Sequence, residues 1–487
     1  MKEFLKSLPL LLLLSTNSLG QNGSELTDFQ GGQYTFKLSL SNNLFLGVGS
    51  RVGGLGGDYG GLLPTSETLL WNPANLAFIK KSQWTFDVNP PLMFNPTSLV
   101  DIDGEVRSAV DDNIADMKGE NFSMKDEDYP ELALSLGEKG NFGTGSFAWR
   151  NGEFTIAGAL FQPFHLTLDL VGTGFEARME TVDEEDPALS VTFFSSLDLS
   201  LSTRIKIQGW SLGAGRMITP RWAAGLSLER LSGLAEVNAQ FQVEGIMVTA
   251  GNERAFNDPN DPWENNLHSS VKGGYQGSST TYKLGTTYKL NENWGLGTVL
   301  SLAQPLTMKG ELKIIQRTLP GLNLQAEGDE DILDATKIDL DEPTKTIQQH
   351  NPTSELLILN LPSSLGIGIS GQIGFLGVSL NYNRYFGECS YQYDVMRNGE
   401  EIKYSQGIKL SNEFRLGLEL TKYFRLGCGM TMGTLVDKNQ EPSKPQGIIV
   451  PTFSLGTGFK LNRNLTTDLL LLAIPAGVGK ISISYEL

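Results

Sequence analysis

The residues able to do chemistry are few. His165, His268 and His350 are the three imidazoles of the chain, and none stands at metal-ligand spacing from a second ligand. Two cysteines, Cys389 and Cys428, do not make a disulfide framework. No motif marks an activated nucleophile, so a lipase or protease reading has nothing to rest on. Asp101-Ile102-Asp103-Gly104-Glu105 looks like a calcium loop but lacks the full spacing, and it reads as a loop. The expectation is a protein that is not an enzyme and has no cofactor or metal. The distinctive chemistry lies in the backbone instead. From Gly47 to Phe78 the chain is too rich in glycine to pack as an ordinary helix or strand. It closes on Asn72-Pro73-Ala74-Asn75, where the proline ring fixes one angle and pushes Asn72 out of the helical region. The Asn72 amide can then bond to nearby backbone and hold the segment together.

The rest of the chain must position that segment, and it reads as strand hairpins. Trp84, Phe86 and Val88 alternate with Thr85 and Asp87 as strand one. Phe147 and Trp149 lead to Asn151-Gly152, a strong hairpin signal, and Phe154, Ile156 and Leu160 leave it. Five more tight turns follow, at Thr219-Pro220-Arg221, Asn291-Glu292-Asn293, Gly371-Gln372, Thr421-Lys422 and Asn462-Arg463-Asn464. With a last strand from Gly479 to Leu487, the count is about fourteen. Between Leu284 and Leu302 the opposite phase is Gly285, Thr287, Lys289, Gly295, Gly297, Val299 and Ser301. Between Phe414 and Met430 it includes Arg415, Gly417, Glu419, Arg425, Gly427 and Gly429. A soluble sandwich would cover its second face with charge. Here that face is small, as a lumen must be if another segment fits inside, and the large face can turn to lipid. Cys428 shares the lipid-facing phase. Trp222, Tyr288, Trp294, Phe424 and Phe459 gather near the turns, as residues of a membrane–water boundary do. An open edge cannot stand in hydrocarbon, so the sheet must close. The predicted fold is all-β: a transmembrane antiparallel β-barrel of about fourteen strands with an N-terminal lumenal plug.

Composition agrees. There are 55 glycines, and only 19% of residues are charged. Met1 to Gly20 has two lysines, an apolar run and small residues before Gln21, as an export signal does. The expected divisions are residues 1–20 as signal, 21–80 as N-terminal segment and plug, and 81–487 as barrel. A net charge of −17 argues against nucleic acid. The runs Asp126-Glu127-Asp128, Asp183 to Asp186 and Asp329-Glu330-Asp331 read as solvated loops, with a cation bridge to lipopolysaccharide as the alternative. The long stretches Ala235 to Thr280 and Lys309 to Asn360 read as outer connections. Val106, Ala109, Val110, Ile114 and Met117 predict a short amphipathic helix.

Asn72-Pro73-Ala74 after its glycine-rich approach resembles the N-terminal hatch of the FadL/TodX family of outer-membrane transporters of hydrophobic compounds. The phrases Tyr282-Lys283-Leu284 to Gly297, Leu361-Pro362-Ser363-Ser364-Leu365-Gly366 and Phe453 to Leu461 are similar too. Asn75 departs from the pattern, since many relatives have glycine or another small residue there. The resemblance implies a fourteen-stranded barrel, a hatch of Asn72, Pro73, Ala74 and Asn75, and passive uptake of long-chain fatty acids or other apolar molecules. Strand three, Phe154 to Leu170, contains Gly158 and Pro163. Proline cannot donate to the ladder, so the wall should break there. In the resembled family such a break is the lateral exit, which places it at Gly158 to Pro163. Expected partners are membrane lipid and a hydrophobic small molecule, with lipopolysaccharide or an envelope protein as further candidates. The expected state is a monomer in the outer membrane of a Gram-negative bacterium. The competing reading is a barrel that transports nothing and serves the envelope structurally, as in a secretion system.

Overall fold

The structure is a computed structural model. It describes residues 24–42, 49–90, 92–94, 131–138, 141–182, 190–249, 252–257, 267–320, 322, 337–397, 400–420, 423–437, 447–473 and 477–487. The export signal, the segment around Val106, the Asp101 loop and the three acidic runs lie outside the described residues.

In chain order the strands begin with β1 (Ser24–Gln30) and β2 (Gln33–Asn42). The glycine-rich segment follows, with α1 (Arg51–Gly54) and two 3-10 turns, Ser66–Leu70 and Pro73–Phe78. Next come β3 (Gln83–Asn89), β4 (Leu92–Phe94), β5 (Glu131–Glu138), β6 (Asn141–Asn151) and β7 (Phe154–Val182). Then β8 (Ser190–Thr219), β9 (Trp222–Thr249), β10 (Asn252–Phe256), β11 (Leu267–Lys289), β12 (Trp294–Ala303) and β13 (Leu306–Thr318). After them run β14 (Lys345–Asn360), β15 (Ser363–Ile373), β16 (Leu376–Phe386) and β17 (Cys389–Arg397). The chain ends with β18 (Glu400–Leu420), β19 (Phe424–Asp437), β20 (Gly447–Lys460), β21 (Leu465–Ala473) and β22 (Gly477–Glu486).

Neighbours pair antiparallel around a ring, except that β2 pairs parallel with β5, and β22 returns to pair with β3 from Ile481↔Val88 to Glu486↔Gln83. The pieces β3–β4, β5–β6, β12–β13, β14–β15 and β16–β17 each make one broken stave, and β1, β2 and β10 are additional strands laid against the ring, so the closed barrel has 14 strands. Across the greasy outer rows the ladders run from stave to stave, as from Tyr288↔Trp222 to Thr280↔Arg230. That is the condition for a sheet to stand in hydrocarbon.

Large apolar residues line the outer face, with Leu226 59%, Leu284 55% and Leu380 49% exposed. The opposite phase is buried and small: Thr287, Ser370, Ser379, Ser454 and Ser482 are all under 9% exposed. Cys428 is on the exposed face, as its phase requires.

Further along the same strands the partition inverts. On β8 the outward row runs Ile218, Leu212, Trp210, then Gln208, Lys206, Arg204 and Ser202, while Ile207 and Phe193 are buried on the inner row. On β9, Leu226 and Leu228 give way to Asn238, Gln240 and Glu244 outside, with Leu231, Ala235, Val243 and Met247 buried. Trp222 to Arg230 is about 27 Å along the strand, the reach of a lipid band crossed at a tilt. Beyond it the barrel stands in water and buries its apolar side chains like any soluble barrel.

Three staves also change phase near this level. A bulge on β7 sets Phe161↔Gly209 beside Phe164↔Ile207, so Gln162-Pro163 adds one residue and flips the strand. The break Gln304-Pro305 turns the even positions from the exposed Leu296 and Leu302 to the buried Leu306 and Met308. Leu361-Pro362 separates β14 from β15 in the same way. The stretches expected as long connections, Ala235–Thr280 and Lys309–Asn360, are therefore largely strand: β9 runs to Thr249, β11 starts at Leu267, and β13 and β14 continue the wall. Their outer face is polar because it meets water, so they lack the greasy signature used to recognise the others.

Deep in the barrel, Arg425 (1% exposed) is held by Glu419 at 3.1 Å and Asp468 at 2.7 Å, and Arg51 of α1 reaches Glu419 at 3.5 Å. The inversion gives a test. Leu226→Arg should cost about 2–4 kcal/mol of folding into a bilayer, as a cation does near the midplane. Gln240→Arg, on the same face beyond the inversion, should stay within about 0.5 kcal/mol. Equal costs, read by denaturant titration in vesicles, would refute the assigned lipid band.

Candidate functional site

Residues 49–79 pack against the inward face of strands from every part of the ring. Gly49 N donates to Asp87 Oδ2 at 2.8 Å on β3, and Ser50 Oγ meets Ser482 Oγ at 2.6 Å on β22. Tyr59 N donates to Asn381 Oδ1 at 3.1 Å, and Tyr59 OH donates to Asn383 Oδ1 at 2.9 Å, both on β16. The Gly54 carbonyl accepts from Ser454 Oγ at 3.0 Å on β20. The small lumenal face is the seat for this backbone. A β-carbon at Gly297 would overlap the Tyr59 carbonyl oxygen, and one at Gly417 would overlap that of Leu55.

Asn72, Pro73, Ala74 and Asn75 come together where the segment meets β8, β9 and β11. Both asparagines are fully buried. Asn72 Oδ1 accepts from Ala74 N at 3.1 Å, so it caps the turn that Pro73 opens. Its Nδ2 donates to the Tyr59 carbonyl at 2.8 Å, to Thr287 Oγ1 at 2.9 Å and to the Thr286 carbonyl at 3.2 Å. Asn75 Nδ2 reaches the carbonyl of Asp58 at 3.1 Å, and its Oδ1 accepts from Thr287 Oγ1 at 2.7 Å. One turn is thereby bonded to an earlier turn and to the wall. A glycine at position 75 could make none of these side-chain bonds.

Gly158 and Pro163 occupy different settings. Gly158 sits in an uninterrupted ladder, paired with Phe147 on one side and Leu212 on the other. The break falls at Gln162-Pro163, where the bulge interrupts pairing to β8 and where pairing to β6 has already ended at Gly145↔Leu160. Glycine alone does not interrupt a ladder, because it still donates and accepts.

A cavity of about 200 Å³ adjoins this break. Tyr59, Leu70 and Trp71 of the glycine-rich segment line it, and Phe161 and Pro163 belong to its wall. Leu231, Val299 and Ala303 add apolar surface. Its charges are paired: Lys283 Nζ lies 2.6 Å from Glu229 Oε1, and Arg415 Nη2 lies 2.6 Å from Glu413 Oε1. Lys283 Nζ also donates to the Leu70 carbonyl at 2.7 Å, and Arg415 Nη1 donates to that of Gly56 at 3.0 Å. Tyr385 OH and Asn383 Nδ2 each donate to Glu413 Oε2 at 2.8 Å. Arg415 also lies over the Trp71 ring, 5.1 Å from its centre. Among the described residues, the Trp71 Nε1–H is buried without a hydrogen-bond partner. A chamber with paired charges and aromatic walls can receive an apolar molecule without leaving an ion unsolvated. Next to it, Ile207, Leu231, Leu306 and Met308 form an apolar cluster that also takes in Phe161 and Phe164.

Neither Trp71 nor Phe161 stood out in the sequence. Trp71 immediately precedes the Asn-Pro pair, which was the one available signal. His165 is buried on β7 with its ring 3.4 Å from Thr167 Oγ1, and His268 is on β11. The His350 and Cys389 side chains lie outside the described residues.

No protein-family model matches the sequence, and comparison with curated proteins returns no match. Among solved structures the chain is similar to the P. putida toluene transporter TodX, with a TM-score of 0.47, 12% identity, and coverage of 91% of this chain and 99% of that one. It is similar to a Pseudomonas aeruginosa FadL homologue, with a TM-score of 0.47, 13% identity and the same coverage. It is also similar to the Ralstonia pickettii toluene transporter TbuX, with a TM-score of 0.42, 14% identity and coverage of 91% and 99%.

The asparagine bonds are open to test. Asn72→Ala removes the cap and every bond the amide donates, leaving buried carbonyls unpaired, which should loosen the segment by about 3 kcal/mol. Faster hydrogen exchange across residues 49–79, with the barrel's heat stability retained, is the expected result. Unchanged exchange there would show that the seat does not depend on Asn72.

Proposed function

We propose that this chain is an outer-membrane channel for passive uptake of hydrophobic small molecules, long-chain fatty acids among them. In this reading residues 49–79 act as a hatch, and the wall break at Gln162-Pro163 is a side opening through which ligand leaves the lumen. The observation that carries it is the cavity itself, because a single chamber touches Trp71 of the segment and Pro163 of the interrupted stave. A ligand held there has one movable neighbour below and one weakened neighbour at its side. The sequence resemblance to the FadL/TodX family supports the same reading.

The mechanism follows from the surfaces. An apolar molecule leaves water because burying its surface is favourable, at about 25 cal/mol per Å². The cavity accepts it without stranding a charge, since Lys283 and Arg415 keep their carboxylate partners. Passage then requires the segment to shift, and the bonds of Asn72 and Asn75 set the resistance to that shift. No energy source is needed, because the molecule moves down its own gradient into lipid.

Uptake of a labelled fatty acid, and of toluene in parallel, by cells carrying and lacking the protein is the direct experiment. Accumulation that depends on the protein supports the channel, and equal accumulation in both strains would leave a structural barrel as the reading. Pro73→Ala should change the uptake rate with normal barrel insertion, since it frees the turn that Asn72 caps. An unchanged rate argues against a moving hatch. Trp71→Ala should weaken retention of an apolar fluorescent probe in purified protein by about 2–3 kcal/mol, the worth of one buried aromatic side chain.

A further inference from the structure

The wall between β5–β6 and β7 is not completed by barrel strands alone. Pairing of β6 to β7 ends at Gly145↔Leu160. From Phe164 onward that edge of β7 pairs instead with β2, antiparallel, from Asn42↔Phe164 to Gln33↔Thr173. The other edge of β2 pairs with β5, parallel, from Gln33↔Glu131 to Ser39↔Gly137. No other pairing among the described residues is parallel. An N-terminal strand thus fills a slot in the wall, starting at the residue after Pro163 and running away from the lipid band. Its inward side chains are part of the barrel core: Phe36 is 1% exposed, and Tyr34 lies over Gly172.

Three features set β2 apart from the other staves. It has no hairpin to either neighbour, since β5 and β7 lie far along the chain. Its parallel edge has slanted hydrogen bonds and is the weaker kind of pairing. Its level is the decisive one. Ser41 is opposite His165, which is opposite Lys206, and Lys206 lies beyond the Trp210 end of the outward greasy row. If β2 leaves, the freed edges of β5 and β7 meet water, which replaces the lost ladder bonds at small net cost. A strand inside the lipid band would leave unpaired backbone in hydrocarbon, where nothing replaces them.

We infer that β2 is a removable stave that closes the side opening at Pro163, and that its withdrawal joins the cavity to the outer rim of the lipid band. This rests on the transport reading for its purpose, though not for the motion itself. The strand β1 pairs with the far end of β7, from Gln30↔Glu176 to Ser24↔Thr181. Gly32 and Gly174, both with positive φ, meet between the two paired runs. The Gly31-Gly32 joint lets β2 peel away while β1 stays docked.

The test joins a lock to a measure of motion. Thr35 and Val171 are opposite each other, and both are exposed on the outer face. In a chain with Cys389→Ser and Cys428→Ser, the pair Thr35→Cys and Val171→Cys should form a disulfide on oxidation. Uptake should then be lost and should return with reductant. Hydrogen exchange in lipid nanodiscs should show residues 33–42 opening far more often than residues 203–212 of β8, with the disulfide abolishing the difference. Protection of β2 equal to that of β8 overturns the inference whether or not the protein transports, and so does full uptake by the oxidised, fully cross-linked chain. If the reduced chain takes up nothing, the transport reading fails, and the exchange result alone decides whether the stave moves.

Discussion

A peptide group in hydrocarbon must have a partner, and this one requirement shapes the whole chain. It closes the sheet, because an edge cannot stand in lipid. It keeps the ladders from Trp222 to Arg230 and from Tyr282 to Tyr288 free of interruption. It also explains where interruptions are allowed. The bulge at Gln162-Pro163 and the breaks at Gln304-Pro305 and Leu361-Pro362 come where the outward face stops being greasy. Proline, which cannot donate, is tolerated where water can replace the missing partner.

The second consequence concerns the side chains. With lipid outside, the outward row must be bulky and apolar, so specificity has to be built on the inner row. There the barrel uses little volume. Gly225, Gly297 and Gly417 let the backbone of residues 49–79 come within van der Waals contact of the wall. Polar bonding then fixes the register, through Asn72 to Thr287, Tyr59 to Asn383 and Gly49 to Asp87.

Much of this was legible in the residues. The tight turns, the outward rows and the small inward rows all follow from period-two alternation and turn chemistry, and the barrel they predict is the one observed. The asparagine pair could be singled out because Asn-Pro is a stiff, readable turn. Other features were not legible, for definite reasons. The outer runs of β9, β11, β13 and β14 look like connections in the sequence because their apolar residues change sides. Gly158 and Pro163 look alike as strand breakers, although only the proline interrupts a ladder. The stretch ahead of the glycine-rich run carries no strand expectation, yet Ser24–Gln30 and Gln33–Asn42 are strands of the sheet. The alternation Tyr34, Phe36, Leu38, Leu40 against Thr35, Lys37, Ser39 was in plain view. What hid it was its partner, since nothing local shows that a strand before the plug pairs with one more than a hundred residues later.

The N-terminal run therefore does two things with one chain. Residues 33–42 complete the wall beside the break at Gln162-Pro163, and Tyr59, Leu70 and Trp71 of residues 49–79 line the cavity. Pairing of β2 with β7 begins at the residue after Pro163, which itself lines that chamber. The strand β2 is suited to this because it shares no hairpin with either neighbour, and the Gly31-Gly32 joint separates it from β1, which is held on β7 by its own ladder. The level of β2 completes the logic. Backbone that faces water can exchange its partners at modest cost, and backbone that faces lipid cannot, so a movable part of such a wall belongs just beyond the greasy band, where β2 is found.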